Sequence, residues 1–252
     1  MKRIGFFDSG IGGISVLRDA VRLMPEENYI YYGDTANAPY GGRSKKEIHD
    51  LTMEGVNYLL SQDIKALVIA CNTATSVTVC DIRKDLSIPV ISMEPAIKPA
   101  LENVSGKVLV MATPATLAQE RYIRLAEALD SQHRVINCPC EHLAGLIEKN
   151  LYSNTSVIAD YLRELLAPYA GKAEAVVLGC THYIFVKDII SGIMKGARLF
   201  DGNAGTVAHL KDVLQAQGIK EPEGRKGTII LNSSSDDQYT LKMYSRLLSA
   251  EQ

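Results

Sequence analysis

Short, continuous apolar runs recur along this chain, each followed by a longer stretch with apolar residues at helical spacing. Few folds accept that alternation. Residues 2–7 (KRIGFF), 28–34, 65–71 (KALVIAC) and 88–93 predict strands, and so do 106–112, 134–139, 174–180 (EAVVLGC), 197–202 and 226–231. Between them, 11–24, 44–62, 76–86, 115–129, 142–150, 156–170, 186–194, 204–218 and 237–250 predict helices. A strand that is apolar on consecutive residues has both faces covered, which is the condition of a parallel sheet flanked by helices. The expected class is therefore α/β.

One internal echo adds to this. Residues 65–73 (KALVIACNT) resemble 174–182 (EAVVLGCTH): each is a buried strand ending in a cysteine and two polar residues. Each follows an earlier strand that ends in polar residues, Asp8-Ser9 in the first half and Thr113 in the second. Two strands of any α/β sheet can look alike. The alternative is an internal duplication giving two pseudo-symmetric domains, each a parallel-rich sheet flanked by helices, with the active site in the cleft between them. The expected division is 1–94 plus 205–252 for the domain carrying Asp8 and Cys71, and 95–204 for the one carrying Cys180.

Composition removes several function classes. A net charge of -2 and a pI near 6.2 provide no basic field for nucleic acid. No apolar run is long enough to span a bilayer. The N-terminal apolar run is short and meets Asp8, unlike a secretory leader, so a cytoplasmic location is expected. The cysteines at 71, 80, 138, 140 and 180 are odd in number, which argues against a disulfide framework. Free thiols are then packing residues or reactive groups.

Ligands of open α/β sheets bind beyond the carboxyl ends of the strands. Asp8, Ser9, Asp34 and the loop after it, Cys71-Asn72-Thr73, Thr113 and Cys180-Thr181-His182 fall there. Two thiols at matching positions suit the inversion of a stereocentre with an acidic C–H, which needs a base on one face and an acid on the other. Thiols can do both, since their ordinary pKa, about 8.5, is readily lowered. The expected helix starts after both cysteines, and His182 near Cys180, favour thiolates. Asn72, Thr73 and Thr181 are candidate donors to a carboxylate. Asp8 can hold an ammonium group or polarise a thiol.

Other features point less sharply to chemistry. The Gly10-Ile11-Gly12-Gly13 turn invites a dinucleotide reading, but the third glycine of that fingerprint falls at Ser15. Ala38-Pro39-Tyr40-Gly41-Gly42 reads equally as a substrate loop or an ordinary Pro/Gly turn. Cys138-Pro139-Cys140 with His142 matches no common zinc spacing and reads as structural, so no metal is expected. Cys80 reads as core, and His49, His133 and His209 as surface. Glu148, ending an apolar helical stretch, reads by itself as a solvated helix residue.

Together, Phe7-Asp8-Ser9-Gly10-x-Gly12-Gly13, Tyr32-Gly33-Asp34 with Pro39-Tyr40-Gly41, Ala70-Cys71-Asn72-Thr73-Ala74 and Leu178-Gly179-Cys180-Thr181-His182-Tyr183 resemble glutamate racemases, in order from about residue 4 to about residue 209. The resemblance implies a two-base mechanism that needs no cofactor, acting on glutamate and supplying D-glutamate for peptidoglycan. It implies that Cys71 and Cys180 are the proton donor–acceptor pair, Cys71 serving D-glutamate and Cys180 L-glutamate. Asp8, Ser9, Tyr40, Gly41, Asn72, Thr73, Thr181 and His182 match substrate contacts, and Asp8, His182 and Glu148 match groups that assist the thiols. Ile184, Gly145 and Gly202 depart from the family pattern. A homodimer is the one assembly entertained. Racemases of aspartate or hydantoins, maleate isomerases, and a non-catalytic binding module stand as rivals.

Overall fold

The computed structural model describes residues 2–235 and 237–250. The chain forms two compact units, 1–93 with 203–252, and 94–202. The first is built on strands β1 (Arg3–Asp8), β2 (Tyr29–Gly33), β3 (Ile64–Ile69), β4 (Val90–Ser92) and, from the C-terminal part, β9 (Ile229–Ser233). The second carries β5 (Lys107–Ala112), β6 (Val135–Pro139), β7 (Ala173–Leu178) and β8 (Arg198–Asp201). Every strand pairing among the described residues is parallel. The sheets run β4-β3-β1-β2-β9 and β6-β5-β7-β8. Read from the other edge, the second is β8-β7-β5-β6, the order of the first without β9.

The likeness extends to single residues. Ile4 pairs with Ala66, just after a register irregularity, and Val108 pairs with Ala175 after the same irregularity. Cys71 stands as far beyond Ala66 as Cys180 stands beyond Ala175. The duplication inferred from the two cysteine strands is thus mirrored in strand order and register.

The strand interiors explain the layering. All six residues of β3 are buried, as are Ile4, Phe6 and Phe7 of β1, so both faces of the first sheet need cover. Helices α1 (Ile14–Leu23), α2 (Lys45–Leu60), α3 (Asn72–Asp85), α10 (Asn203–Ala216) and α11 (Gln238–Ser249) belong to that unit. A capping box starts α2: Ser44 Oγ accepts from the Glu47 backbone N–H, and the Glu47 carboxylate accepts from the Ser44 N–H at 2.9 Å. The second unit holds α4 (Ile97–Asn103), α5 (Pro114–Leu117), α6 (Glu120–Leu129), α7 (Leu143–Asn150), α8 (Thr155–Leu166) and α9 (Lys187–Ile193). There Ile97, Leu101 and Tyr122 pack on Val108, Val110 and Val177. No helix among the described residues is long and apolar enough to cross a membrane.

Some local expectations are corrected. The chain over 115–129 is two helices broken at Gln119, and α4 is an element the apolar pattern does not announce. Helix α3 begins at Asn72, directly after Cys71, rather than at 76. Cys80 is exposed on α3, not core. It shares a face with Ser76, Arg83 and Lys84, and the buried side of the helix is taken by Val77, Thr78 and Ile82.

At the amino ends of β2 and β3 lies a buried ion pair. Lys65 Nζ sits 2.8 Å from Glu27 Oε2, and donates to the Ile219 carbonyl at 2.6 Å and to Glu221 Oε1 at 3.2 Å. Glu27 Oε1 accepts from the Glu221 N–H at 2.7 Å. Beside it, a Cβ on Gly227 would lie 1.8 Å from the Glu27 carbonyl oxygen, so only glycine lets the returning segment lie this close. Removing one partner of such a pair strands a buried charge. Lys65→Met is expected to destabilise the fold by about 3–5 kcal/mol, and Lys65→Met with Glu27→Leu to recover most of that loss. Urea unfolding of the two variants checks this, and equal losses would contradict it.

Candidate active site

In each sheet the connections reverse direction beside the central strand: β1 leads to β2 on one side and then to β3 on the other, and β5 leads to β6 and then to β7. Ligands of such sheets bind in the crevice at that reversal, beyond the carboxyl ends. The two crevices are β1/β3 and β5/β7. Cys71 and Ser9 flank the first, Cys180 and Thr113 the second.

In the first unit, Ala70 N–H donates to the Phe7 carbonyl at 2.8 Å, the last hydrogen bond before Cys71. Cys71 then takes extended backbone and caps α3, its Sγ accepting from the Ala74 N–H at 3.4 Å. Ser9 Oγ lies 3.4 Å from the same sulfur. A thiolate gains from both, because together they bring hydrogen-bond donors and a positive helix end to the sulfur. Asp8 is fully buried, with Oδ1 accepting from Gly10 N–H at 3.0 Å. Asn72 and Thr73 are buried in the first turn of α3, and Asn72 Oδ1 has no hydrogen-bond partner among the described residues. A buried acceptor left open in this way awaits a donor.

The loop after β2 closes on itself. Tyr40 is buried and its hydroxyl donates to Asp34 Oδ2 at 2.5 Å, while Asn37 Nδ2 donates to Asp34 Oδ1 at 2.9 Å. Arg43 holds the Asn37 carbonyl through Nε at 3.0 Å and Nη2 at 2.8 Å. Burial, and then the Asp34 carboxylate, push the Tyr40 phenol well above its usual range, so it stays a neutral donor. Gly41 is buried beside it. Asp34 is the residue whose part the sequence reading leaves unassigned; the signal for it is an acidic residue closing a strand ahead of Pro39-Tyr40.

In the second unit, Gly179 N–H donates to the Met111 carbonyl at 2.8 Å, and Cys180 follows. Cys180 Sγ lies 3.7 Å from His182 Nδ1, and His182 Nε2 lies 2.7 Å from Glu148 Oε1. Glu148 is therefore not a solvated helix residue: its carboxylate comes from α7 to the buried imidazole. Burial alone would lower the His182 pKa. The hydrogen bonds to Cys180 and Glu148, with their charges, outweigh it and hold the imidazole well above its ordinary value. As imidazolium, both ring nitrogens donate, one toward the thiol and one to the carboxylate. Thr181 is buried at the same turn. That turn is a correction: Thr181–Val186 is a 3-10 helix, and α9 begins only at Lys187, so no α-helix start supports Cys180. The charged group beside its sulfur is His182.

Cys138 and Cys140 form a buried pair close enough to Cys180 for its charge to act on Cys140. Cys138 and Cys140 are buried, and the Cys140 thiol donates to the Cys138 carbonyl at 3.4 Å. A hydrogen bond between the Cys138 and Cys140 side chains, and then burial, push Cys140 far up, so it stays a protonated thiol. The His142 side chain is exposed, away from that buried pair. His133 and His209 are exposed and His49 is partly so.

Residues 14–210 match the family model described as Asp/Glu/Hydantoin racemase. A glutamate racemase of Clostridium botulinum is 41% identical over 251 residues, 98% of this chain and 97% of the relative. The crystal structure of a glutamate racemase isoform from Bacillus anthracis superposes with a TM-score of 0.89 at 29% identity, over 99% of this chain and 95% of that one. The Escherichia coli glutamate racemase, solved with L-glutamate and the activator UDP-MurNAc-ala, gives 0.87 at 26% identity, over 98% and 96%. With its sheet order, its cysteine strands and these matches along nearly its whole length, the chain belongs to the glutamate racemases, within the aspartate, glutamate and hydantoin racemase family, and is an isomerase.

Proposed function

We propose that the protein interconverts L- and D-glutamate by moving the α-proton between Cys71 and Cys180. The observation that carries this reading is the equivalence of the two thiols: each follows the last hydrogen-bonded residue of the strand next to the central one, in sheets of the same order. Racemisation requires two proton-transfer groups that address opposite faces of one carbon, and equivalent thiols from two like units suit that requirement. One thiolate removes the α-proton and becomes a thiol. The electron pair left on carbon is held by the substrate carboxylate, and the other thiol delivers its proton to the opposite face, becoming the thiolate. Atoms and charge balance, and the enzyme finishes with the proton on the other sulfur.

The surrounding residues are assigned by chemistry. Asn72 Oδ1, a buried open acceptor, takes a hydrogen bond from the substrate ammonium, with Asp8 as the counter-charge. Ser9, Thr73, Thr181 and the Tyr40-Gly41 loop serve the carboxylates. Ser9 and the α3 start favour thiolate at Cys71; His182, held by Glu148, does so at Cys180. Both proton transfers are supplied by side chains, so the reaction is proposed to need no added cofactor. The relatives named glutamate racemase support glutamate over aspartate or a hydantoin. Supply of D-glutamate for peptidoglycan, in the cytoplasm, follows the family resemblance.

Coupled assays of L- and D-glutamate without added cofactor test the reading directly. Cys71→Ser and Cys180→Ser are each expected to lower kcat by about 10²–10⁴-fold, the usual range for a positioned acid or base. Cys80→Ser, on the exposed face of α3, is expected to match the unaltered protein. An active Cys180→Ser enzyme would remove the two-base mechanism. With α-deuterated substrates, a weakened Cys71 variant is expected to raise the isotope effect mainly from D-glutamate, and a weakened Cys180 variant mainly from L-glutamate. The opposite pattern would exchange the two assignments.

A pH dependence also follows from His182. Its raised pKa keeps the imidazolium, and with it a charged donor beside the Cys180 sulfur, through neutral pH. Glu148→Gln removes part of what raises that pKa, so the imidazolium is lost at lower pH. The alkaline limb of kcat/KM for L-glutamate is expected to move to lower pH in this variant, and an unmoved limb would contradict the role. Stability should follow the same sign. A raised folded-state pKa stabilises fully below the unfolded histidine value, and that contribution is lost as pH rises through the folded value. The urea midpoint of the unaltered protein is therefore expected to fall on the alkaline side, and less so in Glu148→Gln.

A further inference from the structure

The C-terminal helix α11 reaches both loops assigned to substrate in the first unit, through one residue. Tyr244 is fully buried, and its hydroxyl is hydrogen-bonded to Thr35 Oγ1, at the base of the loop that carries Tyr40 and Gly41. Its ring meets the edge of Tyr31 with centroids 5.2 Å apart and planes at 85°. Tyr31 in turn donates its hydroxyl to the Gly10 carbonyl at 2.5 Å, in the turn that carries Asp8 and Ser9. Space has been kept for this contact: a Cβ on Gly33 would lie 2.1 Å from the Tyr244 hydroxyl and 2.7 Å from the Gly10 carbonyl oxygen. The segment before α11 adds a second tie, with Ser234 Oγ accepting from the Ala36 N–H at 3.0 Å.

We infer that Tyr244 is a positioning residue, which sets the Thr35–Gly42 loop through its hydroxyl and the Gly10 turn through its ring on Tyr31. It acts on the thiol chemistry only through these loops. The two halves of the side chain therefore have separable effects. The hydroxyl governs the loop of Tyr40 and Gly41, which bind the substrate in ground and transition states alike, so its loss raises KM and spares kcat. The ring supports the turn of Asp8 and Ser9, next to Cys71, so its loss lowers kcat as well. The kinetic form of this role rests on the proposed function; the structural form does not.

The test uses Tyr244→Phe, Thr35→Val, their combination, and Tyr244→Leu. Both single hydroxyl-deleting variants are expected to raise KM for L- and D-glutamate by about three- to tenfold, the worth of one neutral hydrogen bond, with kcat within about twofold. The double variant should be no worse than Tyr244→Phe, which already removes the bond to Thr35 together with the 3.5 Å bond between the Tyr244 hydroxyl and Ser233 Oγ. Tyr244→Leu should lower kcat in addition. A role in stability alone would lower the melting temperature without this KM-against-kcat split, and additive effects in the double variant would likewise overturn the assignment. Amide hydrogen exchange decides the matter if glutamate proves not to be the substrate. Faster exchange across 35–42 in Tyr244→Phe, and across 10–13 only in Tyr244→Leu, supports the positioning role without any turnover. Unchanged exchange in both loops of folded variants overturns it.

Discussion

Two backbone hydrogen bonds carry the rest of the structure: Ala70 N–H to the Phe7 carbonyl and Gly179 N–H to the Met111 carbonyl, both 2.8 Å. Each is the last tie between a central strand and its neighbour before the chain leaves the sheet. A cysteine placed one residue later inherits the precision of a buried parallel sheet while its side chain has left the apolar layer. The apolar runs of β1, β3, β5 and β7 thus define where the two sulfurs begin as well as filling the core. A thiol on a loop would lack that fixed origin, and proton transfer falls steeply when the reacting atoms are misplaced.

Equivalent origins do not give equivalent surroundings. Cys71 is supported by dipoles: a serine hydroxyl, a helix start and the Ala74 N–H, all neutral donors. Cys180 has a charged neighbour, the His182 imidazolium, whose other ring nitrogen meets Glu148. The first kind of support is insensitive to pH over the working range, and the second is lost when the imidazole deprotonates. If the two thiols are the bases of one reaction, as proposed, their surroundings act by different physics, and the pH dependence of the pair is expected to originate on the Cys180 side.

Much of this is legible in the sequence. The continuous apolar runs identify the parallel strands, and the repeated strand-Cys-polar pattern puts the two cysteines at equivalent places in two like sheets, because both signals are local. The order of strands is not local, yet the reversal beside β1 and β5 falls where the polar residues already point. What the sequence hides depends on long-range or positional facts. Glu148 and His182 are 34 residues apart and meet only through the packing of α7 on the turn after Cys180. Helix α4 is short and flanked by prolines, Pro95 ahead of it and Pro99 within it, which ordinarily signal a break. Pro99 lies in the first turn of α4, where its missing N–H would have had no partner within the helix. Cys80 looks like core only while the apolar spacing of α3 is taken without its polar face. The turn after Cys180 looks helical and is, but as a 3-10 helix its start offers no α-helical dipole.

The two units diverge most at one equivalent point. Asp34 N–H donates to the Asp8 carbonyl and Cys140 N–H to the Ala112 carbonyl, each at 2.9 Å, so Asp34 and Cys140 occupy matching places beyond β2 and β6. After Cys140 the chain enters α7 almost at once, and that helix delivers Glu148 to His182. After Asp34 it makes an irregular excursion to Ser44 before α2 begins. An excursion of that length needs bracing if its residues are to face a ligand in one arrangement, since each ordered residue opposes about 1–2 kcal/mol of backbone entropy. The Asp34–Tyr40 and Arg43–Asn37 bonds brace it from within, and the capping box fixes its exit. The added elements β9 and α11, which have no counterpart among the described residues of the second unit, brace its base through Ser234 and Tyr244. The extra C-terminal segment of the first unit is thus matched to the extra loop: where the second unit brings a helix to its thiol, the first brings a loop and a further strand and helix to hold it.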